Sequence, residues 1–287
     1  MTAPSGRRLP LHTGLTYQVW TWGAASAPTV LLLHGFLDHG RGWTDVAAAL
    51  AERYFVVAPD LRGHGDSDWI GPGGYYHFFD YVADVDALVD ALAADRSPLH
   101  VVGHSMGGTI AGYWAGARPD RCRRLALLEG LGPPESDVAP PVRVARWLDG
   151  WRAARAAPTR ALPDLAAAAA RLRHHDPLLS AEVADRLAAW GTRPVAGGVA
   201  WKHDPLHLTA GPYPFRREVA AALWRNVTCP VLVVDGAAST LRLAQTESAD
   251  RLACFADARA AVLPHAGHMM QRHQPAALAE LLGAFLS

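Results

Sequence analysis

The sequence predicts an α/β protein in which a mostly parallel central sheet carries helices on both faces and is interrupted by a helical cap. Strand-like and helix-like stretches alternate along the first 130 residues and again near the end, which is typical of parallel strands joined by right-handed crossovers. The chain has 287 residues, 50% of them hydrophobic, and a chain this long buries roughly three-quarters of its unfolded surface. Its 27 basic and 27 acidic residues balance, which excludes intrinsic disorder and nucleic-acid binding by general electrostatics.

The predicted strands are short apolar or alternating runs that end at turn residues. Thr16–Trp22 alternates between polar and apolar residues, whereas Thr29–Leu33 is a continuous apolar run of the kind found in buried parallel strands. Tyr54–Ala58 ends because Pro59 follows it. The same criteria predict strands at Leu99–Val102, Leu125–Leu128, Val231–Val234 and Arg259–Leu263.

Apolar residues recur with the helical period between these strands. In Tyr81–Ala93 the apolar side chains fall on one stripe, which is the pattern of a helix packed on a sheet. The other predicted core helices are Trp43–Arg53, Met106–Ala117, one near Ala249–Ala256, and Pro275–Leu286.

The alternation stops between Pro133 and Arg217, where Ala, Arg and Trp are abundant. Helical stretches at Val142–Ala157 and Pro163–His174 are separated by loops rich in Pro and Gly. We therefore predict a core domain of residues 1–132 and 218–287, interrupted by a helical cap of residues 133–217.

The run Gly103-His104-Ser105-Met106-Gly107 matches G-x-S-x-G, the nucleophile elbow, and has a predicted strand before it and a predicted helix after it. So tight a turn strains the backbone at Ser105, and Gly103 and Gly107 supply the room that it needs. The serine oxygen then stands at a helix N-terminus, where developing negative charge is favoured. Ser105 is the predicted nucleophile.

A second loop, His34-Gly35-Phe36, follows the apolar strand Thr29–Leu33. Acyl transfer needs backbone N–H donors aimed at the tetrahedral oxyanion. Both loops follow neighbouring strands at the carboxyl edge of the predicted sheet, where open α/β sheets keep their sites. The N–H groups of Phe36 and Met106 are therefore the predicted oxyanion hole.

Five motifs in order resemble the α/β-hydrolase superfamily along nearly the whole chain. They are LLLHGFLD at Leu31–Asp38, PDLRGHGDSD at Pro59–Asp68, VVGHSMGG at Val101–Gly108, CPVLVVDG at Cys229–Gly236 and AGHMMQRHQP at Ala266–Pro275. The resemblance implies an α/β-hydrolase fold of the branch that inserts a helical cap after the sixth strand. LEGLGPP at Leu128–Pro134 and WKHDP at Trp201–Pro205 are similar to serine-hydrolase-like proteins.

The resemblance also implies that a late histidine is the general base. His268 follows the last strand and lies seven residues before Pro275, as in the family motif, and His265 and His273 are its local rivals. The family acid usually follows the seventh strand, but Ser239 stands at that position here. Some members place the acid after the sixth strand, so Glu129 is the predicted acid.

Asp235 is the alternative acid, since it ends the run Val231–Val234 beside the position that the family usually uses. Trp147, Trp151 and Trp201 of the predicted cap, with His34, are the expected substrate-pocket residues. No metal or other cofactor is expected, because the clusters around His174 and His203 lack the ligand spacing of an HExxH helix.

The expected activity is hydrolysis of carboxylic esters of small to medium apolar substrates through an acyl-enzyme. Thioester, lactone, amide or carbon–carbon bond hydrolysis and transfer to an acceptor other than water use the same triad and stay open, as does non-catalytic ligand binding. We expect a cytoplasmic monomer or homodimer, because the three cysteines are scattered, no signal peptide is recognisable, and no apolar run approaches the roughly 20 residues of a membrane span.

Overall fold

A computed structural model describes residues 3–92 and 98–287. In chain order the strands are β1 (Ser5–Pro10), β2 (Thr16–Trp22), β3 (Thr29–Leu33), β4 (Phe55–Pro59), β5 (Leu99–His104), β6 (Cys122–Leu128), β7 (Thr192–Val195), β8 (Gly198–Trp201), β9 (Val231–Gly236) and β10 (Ala258–Leu263). The α-helices are α1 (Thr44–Leu50), α2 (Phe78–Ala91), α3 (Met106–Ala117), α4 (Pro140–Ala156), α5 (Leu165–His175), α6 (Ala181–Gly191), α7 (Arg217–Trp224), α8 (Gln245–Leu252), α9 (Met270–His273) and α10 (Pro275–Leu286).

The central sheet has eight strands in the order β1-β2-β4-β3-β5-β6-β9-β10. All neighbours from β4 to β10 pair in parallel, whereas β1 pairs antiparallel with β2, and β2 with β4. Every residue of β3 and β5 is buried, as both faces of a parallel sheet require. The α/β-hydrolase fold expected from the sequence is confirmed.

Apolar side chains cover the sheet on both faces. On one face, residues of α2, α3 and α7 join a cluster that includes Trp114 and Trp224. On the other face, α1 and α10 pack together over Trp43 and Phe285. Because helices clamp the central strands from both sides, the carboxyl ends of β3, β5, β6 and β9 hold their loops in fixed positions.

Between β6 and α7 the chain leaves the sheet and forms α4, α5, α6 and the hairpin of β7 and β8, with a cluster of buried residues of its own. Side-chain bonds tie this segment to the core at separate points. Tyr76 donates to Asp204 Oδ2 at 2.8 Å, and Arg186 lies 2.7 Å from Asp45 Oδ2. The segment is thereby tied to the loop before α2 and to α1. Within the described ranges, no helix is long and apolar enough to cross a membrane.

Several predicted elements agree with the structure residue for residue: Thr16–Trp22, Thr29–Leu33, Met106–Ala117 and Pro275–Leu286. The helix predicted near Ala249–Ala256 is present, but it begins and ends four residues earlier in the chain. The helix is Gln245–Leu252, and the chain turns after Ala253. The helix predicted to end at residue 93 is described to Ala91, and residue 93 itself lies outside the described residues.

Other elements were absent from the prediction. They are β1, α6, α7, α9, and the strands β7 and β8. For α6 the sequence held a usable signal, because the Ser180 side chain accepts a hydrogen bond from the Val183 N–H and so caps the helix.

Candidate active site

The predicted nucleophile Ser105 connects β5 to α3 with φ 52° and ψ −118°, a conformation that side chains other than glycine rarely adopt. The close approach of backbones explains the flanking glycines. A Cβ on Gly103 would lie 2.3 Å from the Gly107 carbonyl oxygen, and a Cβ on Gly107 would lie 2.4 Å from that of His34. Strain held this firmly by its surroundings is characteristic of functional sites.

Glu129 follows β6 directly and also has a positive φ, 44°. Its carboxylate accepts three hydrogen bonds: Oε2 lies 2.6 Å from Nδ1 of His268 and 2.8 Å from the Ser239 hydroxyl, and Oε1 lies 2.9 Å from the Gly236 N–H. The Glu129 side chain is 3% exposed, so it is nearly sheltered from water. The structure thus brings the predicted acid and the predicted base into direct contact.

The hydrogen bonds keep Glu129 ionised. Burial alone would raise the pKa of this carboxyl, but the bonds from His268, Gly236 and Ser239 outweigh burial and lower the pKa below its usual value. Asp235 behaves differently, since burial and the nearby charge of Glu129 raise its pKa. Among the hydrogen bonds of the described chain, none joins Asp235 to His268.

Hydrogen bonds from the Ser105 backbone and from His104 connect the elbow to the Glu129–His268 pair. Its N–H donates to the Leu128 carbonyl at 2.9 Å, one residue before Glu129. The adjacent His104 donates from Nε2 to the backbone carbonyl of His268 at 2.8 Å, and the two imidazole rings lie 4.7 Å apart. Within the described part of the chain, no hydrogen bond joins the Ser105 hydroxyl to His268. Catalytic hydrogen bonds often tighten only when substrate binds.

The loop after β3 packs against the elbow. A Cβ on Gly35 would lie 3.2 Å from Cβ of Ser105. Within the described residues, no hydrogen bond occupies the N–H of Phe36 or of Met106. His34 and His64 hold this loop, because His34 Nε2 accepts from the Leu61 N–H at 2.9 Å and His64 Nε2 accepts from the Leu37 N–H at 3.2 Å. Both predicted oxyanion donors are therefore available to a ligand.

The rival histidines occupy other positions. His265 lies exposed on the turn after β10. The His273 side chain is buried: its Nδ1 accepts from the Gly267 N–H at 3.1 Å, and its Nε2 lies 2.9 Å from both carboxylate oxygens of Asp176, between α5 and α6. That contact ties the predicted cap to the loop that carries His268.

A cavity of 540 Å³ opens beside the elbow. Its walls are mostly aromatic and apolar, and they include Phe36 and Met106. Other residues in the walls are Tyr75, Phe78, Phe79, Thr109, Tyr113, Leu206, His207, Tyr213, Phe215, Arg216 and Val219.

None of the four expected pocket residues lines this cavity. His34 is fully buried, and its ring nitrogens are hydrogen-bonded to the backbone of the surrounding loops. Trp201 stacks on His203 and lines a separate, much smaller cavity. Trp147 and Trp151 lie behind the wall and pack edge-on against Tyr75, at 5.6 and 5.9 Å between ring centroids. The tryptophans of α4 therefore support a wall residue.

Sequence reasoning missed the contacts of Ser239 and His104 as well as the cavity walls. Helical periodicity could have found Thr109 and Tyr113, since they follow Met106 on one face of α3. The wall residues between Leu206 and Arg216 lie mostly in irregular loop, which gives no periodic signal. In the described residues, no group of three or more His, Cys, Asp or Glu side chains could hold a metal ion.

A strained elbow serine and a carboxylate-bound imidazole are two features that serine hydrolase sites share. The chain belongs to the alpha/beta hydrolase fold family, whose model matches residues 28–272. It is 32% identical over 282 residues to the 3-hydroxybutyrate-oligomer hydrolase of Cupriavidus necator, and the aligned region covers 90% of this chain and 88% of that protein.

Two further likenesses differ in extent. Lipase LipV of Mycobacterium tuberculosis is 40% identical over 116 residues, which cover 39% of this chain and only 40% of the lipase. The solved thioesterase domain from the curacin biosynthetic pathway superposes with a TM-score of 0.86 and 31% identity over 98% of this chain and 99% of that one. The expected similarity to serine hydrolase-like proteins is confirmed by a Danio rerio protein that is 37% identical over 131 residues.

Proposed function

We propose that this protein is a serine hydrolase that cleaves carboxylic esters with apolar acyl groups, using Ser105, His268 and Glu129 as a triad. The observation that carries the proposal is the 2.6 Å contact between Glu129 Oε2 and His268 Nδ1, next to the strained elbow serine. A carboxylate on Nδ1 fixes the imidazole as the tautomer whose Nε2 can accept a proton.

In the proposed mechanism the Ser105 oxygen attacks the ester carbonyl carbon while its proton passes to His268 Nε2. The negative charge that develops on the carbonyl oxygen is stabilised by the N–H groups of Phe36 and Met106. Collapse of the tetrahedral intermediate breaks the bond to the alcohol oxygen, which takes the proton from His268. Water then attacks the acyl-enzyme in the same way, releases the acid and restores the Ser105 hydroxyl.

Glu129 stabilises the imidazolium that forms twice in each cycle. The low pKa of Glu129 supports this role, because the carboxylate stays charged at neutral pH. Ser239 and the Gly236 N–H hold the carboxylate in place, so little reorganisation is needed when His268 gains its proton.

The preference for apolar acyl groups is supported by the cavity beside the oxyanion donors. Residues 133–217 form the proposed cap, and they contribute to the walls of this cavity. Leu206, Tyr213 and Phe215, from that segment, form part of its walls. Burial of apolar substrate surface against such walls stabilises the complex by roughly 25 cal/mol per Å². The names of the lipase and of the oligomer hydrolase also point to ester substrates.

An active-site probe tests the proposal. We expect a fluorophosphonate to label the intact protein and to label neither Ser105→Ala nor His268→Ala, with Ser26→Ala, at an exposed loop serine, as the matched control. A panel of p-nitrophenyl esters of increasing acyl length then measures kcat/KM. If the folded protein takes up no label and cleaves no ester, the enzyme proposal is wrong and a non-catalytic ligand binder on the same fold is favoured.

A thioesterase is the second candidate, favoured by the 31% identity to a thioesterase domain along nearly the full length of both chains. The same triad attacks either bond, so the two candidates differ only in the leaving group. Acyl thioesters and oxoesters with the same acyl chain separate them. A kcat/KM more than about tenfold higher for the thioester, beyond the difference that free hydroxide shows, favours the thioesterase.

A further inference from the structure

We propose that the substrate's acyl chain carries an uncharged oxygen atom part-way along its length and that the Tyr113 hydroxyl binds this oxygen. The inference rests on the proposed function, because it assumes that the acyl chain of an ester occupies the cavity. It adds a specificity residue and a substrate class: apolar acyl chains interrupted by a keto, ester, ether or hydroxyl oxygen.

One face of α3 forms the floor of the cavity. Met106, Thr109 and Tyr113 are spaced i, i+3 and i+7, so their side chains lie in one row that leads away from the elbow. The row starts at Met106, whose N–H is a proposed oxyanion donor. An acyl chain that leaves the oxyanion site into the cavity therefore passes Thr109 before it reaches Tyr113.

Tyr113 is 4% exposed, and its hydroxyl forms no hydrogen bond with any residue of the described chain. The hydroxyls of the three other buried tyrosines in the wall differ. Tyr75 bonds to Thr209 at 2.7 Å, Tyr76 to Asp204 at 2.8 Å, and Tyr81 to His207 at 3.3 Å.

Unlike the fully buried polar atoms of the described residues that lack a partner, the Tyr113 hydroxyl stays accessible from the cavity, and a molecule that fills the cavity displaces water from it. The rings of Phe78 and Phe79 contact Tyr113 at 5.4 and 5.6 Å between centroids, so its surroundings offer the hydroxyl little. The molecule that fills the cavity is then the natural source of a partner, and the Tyr113 O–H would donate to an oxygen on it.

The partner oxygen need not be charged. Arg216 lines the cavity, but its guanidinium is already paired with Glu218. The buried Arg251 nearby is bonded to the carbonyls of Leu131 and Gly132 and to Glu247. With these cations paired, an anionic acyl group would be desolvated without a free counter-charge.

The position of Tyr113 sets where the oxygen lies. Seven residues separate it from Met106, which is about 10 Å along the helix axis. Helical side chains lean toward the N-terminus, so the hydroxyl lies nearer the oxyanion site than its own Cα does. An extended chain advances roughly 1.2 Å per bond. We therefore place the chain position that bears the oxygen between about four and eight bonds from the scissile carbonyl carbon.

The test is an oxo-scan. p-Nitrophenyl decanoate and a series of p-nitrophenyl oxodecanoates, with the ketone moved one carbon at a time from C5 to C9, are hydrolysed by the intact protein, by Tyr113→Phe and by Tyr75→Phe. For each protein the quantity compared is the ratio of kcat/KM for the oxo ester to kcat/KM for the plain ester. Tyr75→Phe is the matched control, since it removes a hydroxyl of the same cavity that is already bonded to Thr209.

We expect the intact protein to show a maximum of this ratio at one or two ketone positions. Tyr113→Phe should lower the ratio there by about fivefold, as one neutral hydrogen bond provides, while Tyr75→Phe keeps the maximum. A ratio that is the same in Tyr113→Phe and the intact protein at every position overturns the inference. If the intact protein cleaves none of the esters, the proposed function fails instead. Should Tyr113→Phe not fold, Tyr113→Leu provides the same comparison.

Discussion

Replacing Glu129 with glutamine tests the proposed triad most directly. The substitution keeps size and shape, and the amide oxygen can still accept from the Gly236 N–H where Oε1 now does, at 2.9 Å. The amide nitrogen then takes the place of Oε2, facing His268 Nδ1 at 2.6 Å and the Ser239 hydroxyl at 2.8 Å. The amide N–H group cannot accept a hydrogen bond from the His268 Nδ1–H. The imidazole therefore loses the contact that fixes its orientation, and it no longer favours the tautomer whose Nε2 can accept a proton.

The size of the effect follows from the geometry. Two unit charges at the 2.6 Å separation of Glu129 and His268 attract by roughly 6 kcal/mol at an effective dielectric constant of about 20. Loss of a triad carboxylate elsewhere lowers kcat about 10⁴-fold, which is about 5.4 kcal/mol at 1.36 kcal/mol per tenfold. We therefore expect Glu129→Gln to lower kcat by roughly 10³- to 10⁴-fold, with KM changed much less.

The assay is the hydrolysis of a p-nitrophenyl ester at neutral pH, with thermal unfolding measured on the same samples. Asp235→Asn is the matched control, since it neutralises the neighbouring carboxylate that has no hydrogen bond to His268 within the described chain, and we expect a change below about threefold. A Glu129→Gln protein that folds normally and keeps more than about a tenth of the activity would refute the assignment of the acid. A large loss in Asp235→Asn would transfer the role to Asp235.

A second substitution extends the same test. Ser239 Oγ lies 2.8 Å from the carboxylate oxygen that contacts His268, so an aspartate there would bring a carboxylate close to the imidazole. We expect Glu129→Gln/Ser239→Asp to recover about ten- to a hundredfold of the lost kcat. Ser239→Asp alone should be less active than the intact protein, because two adjacent carboxylates repel each other and raise each other's pKa.

Three further predictions concern stability, measured as the free energy of unfolding in urea. Arg272→Met should cost about 3–5 kcal/mol at pH 7, since it leaves Asp38 buried without its 2.7 Å partner. Burial would raise the pKa of Asp38, but the positive charge of Arg272 outweighs burial and the pKa is lowered. This ion pair therefore stabilises the fold above about pH 4, and the difference in unfolding free energy between the two proteins narrows in acid. Asp176→Ala should cost about 1–3 kcal/mol, because the buried His273 Nε2–H loses its acceptor. Ser105→Gly should abolish activity yet stabilise the protein by about 1 kcal/mol relative to Ser105→Ala, since glycine relieves the strain at φ 52°.

The sequence predicted the sheet well because its strands are buried on both faces. Thr29–Leu33 is apolar at nearly every position for that reason, and its bounds were correct. β1 escaped prediction because it is an exposed edge strand with Gly6, Arg7 and Arg8 at its centre, so neither periodicity nor apolar content marks it. The helix α4 was predicted as Val142–Ala157 and spans Pro140–Ala156, although it has no buried residue.

The candidate site also has a part that the sequence predicted and a part that it did not. Contacts that follow from the turn after a strand were predictable: the elbow at Ser105, the loop at Phe36 and the carboxylate at Glu129 all come directly after buried strands. The cavity was not, since its walls combine α3 with loop residues that meet only in three dimensions. Aromatic residues in the predicted cap indicated a wall, but the composition could not tell Tyr213, in the wall, from Trp147, behind it.

The position of the proposed acid follows from the pairing of neighbouring strands. β6 and β9 pair in parallel with Leu128 opposite Val234, so the residues that follow the two strands meet at the same point of the sheet edge. Glu129 continues β6, and Ser239 lies on the turn after β9, and their side chains touch. A carboxylate supplied from either strand end can therefore reach His268, provided that the other position holds a neutral hydrogen-bond donor. The serine at position 239 is thus the complement of the glutamate at 129, because a second carboxylate there would force one of the two to bind a proton.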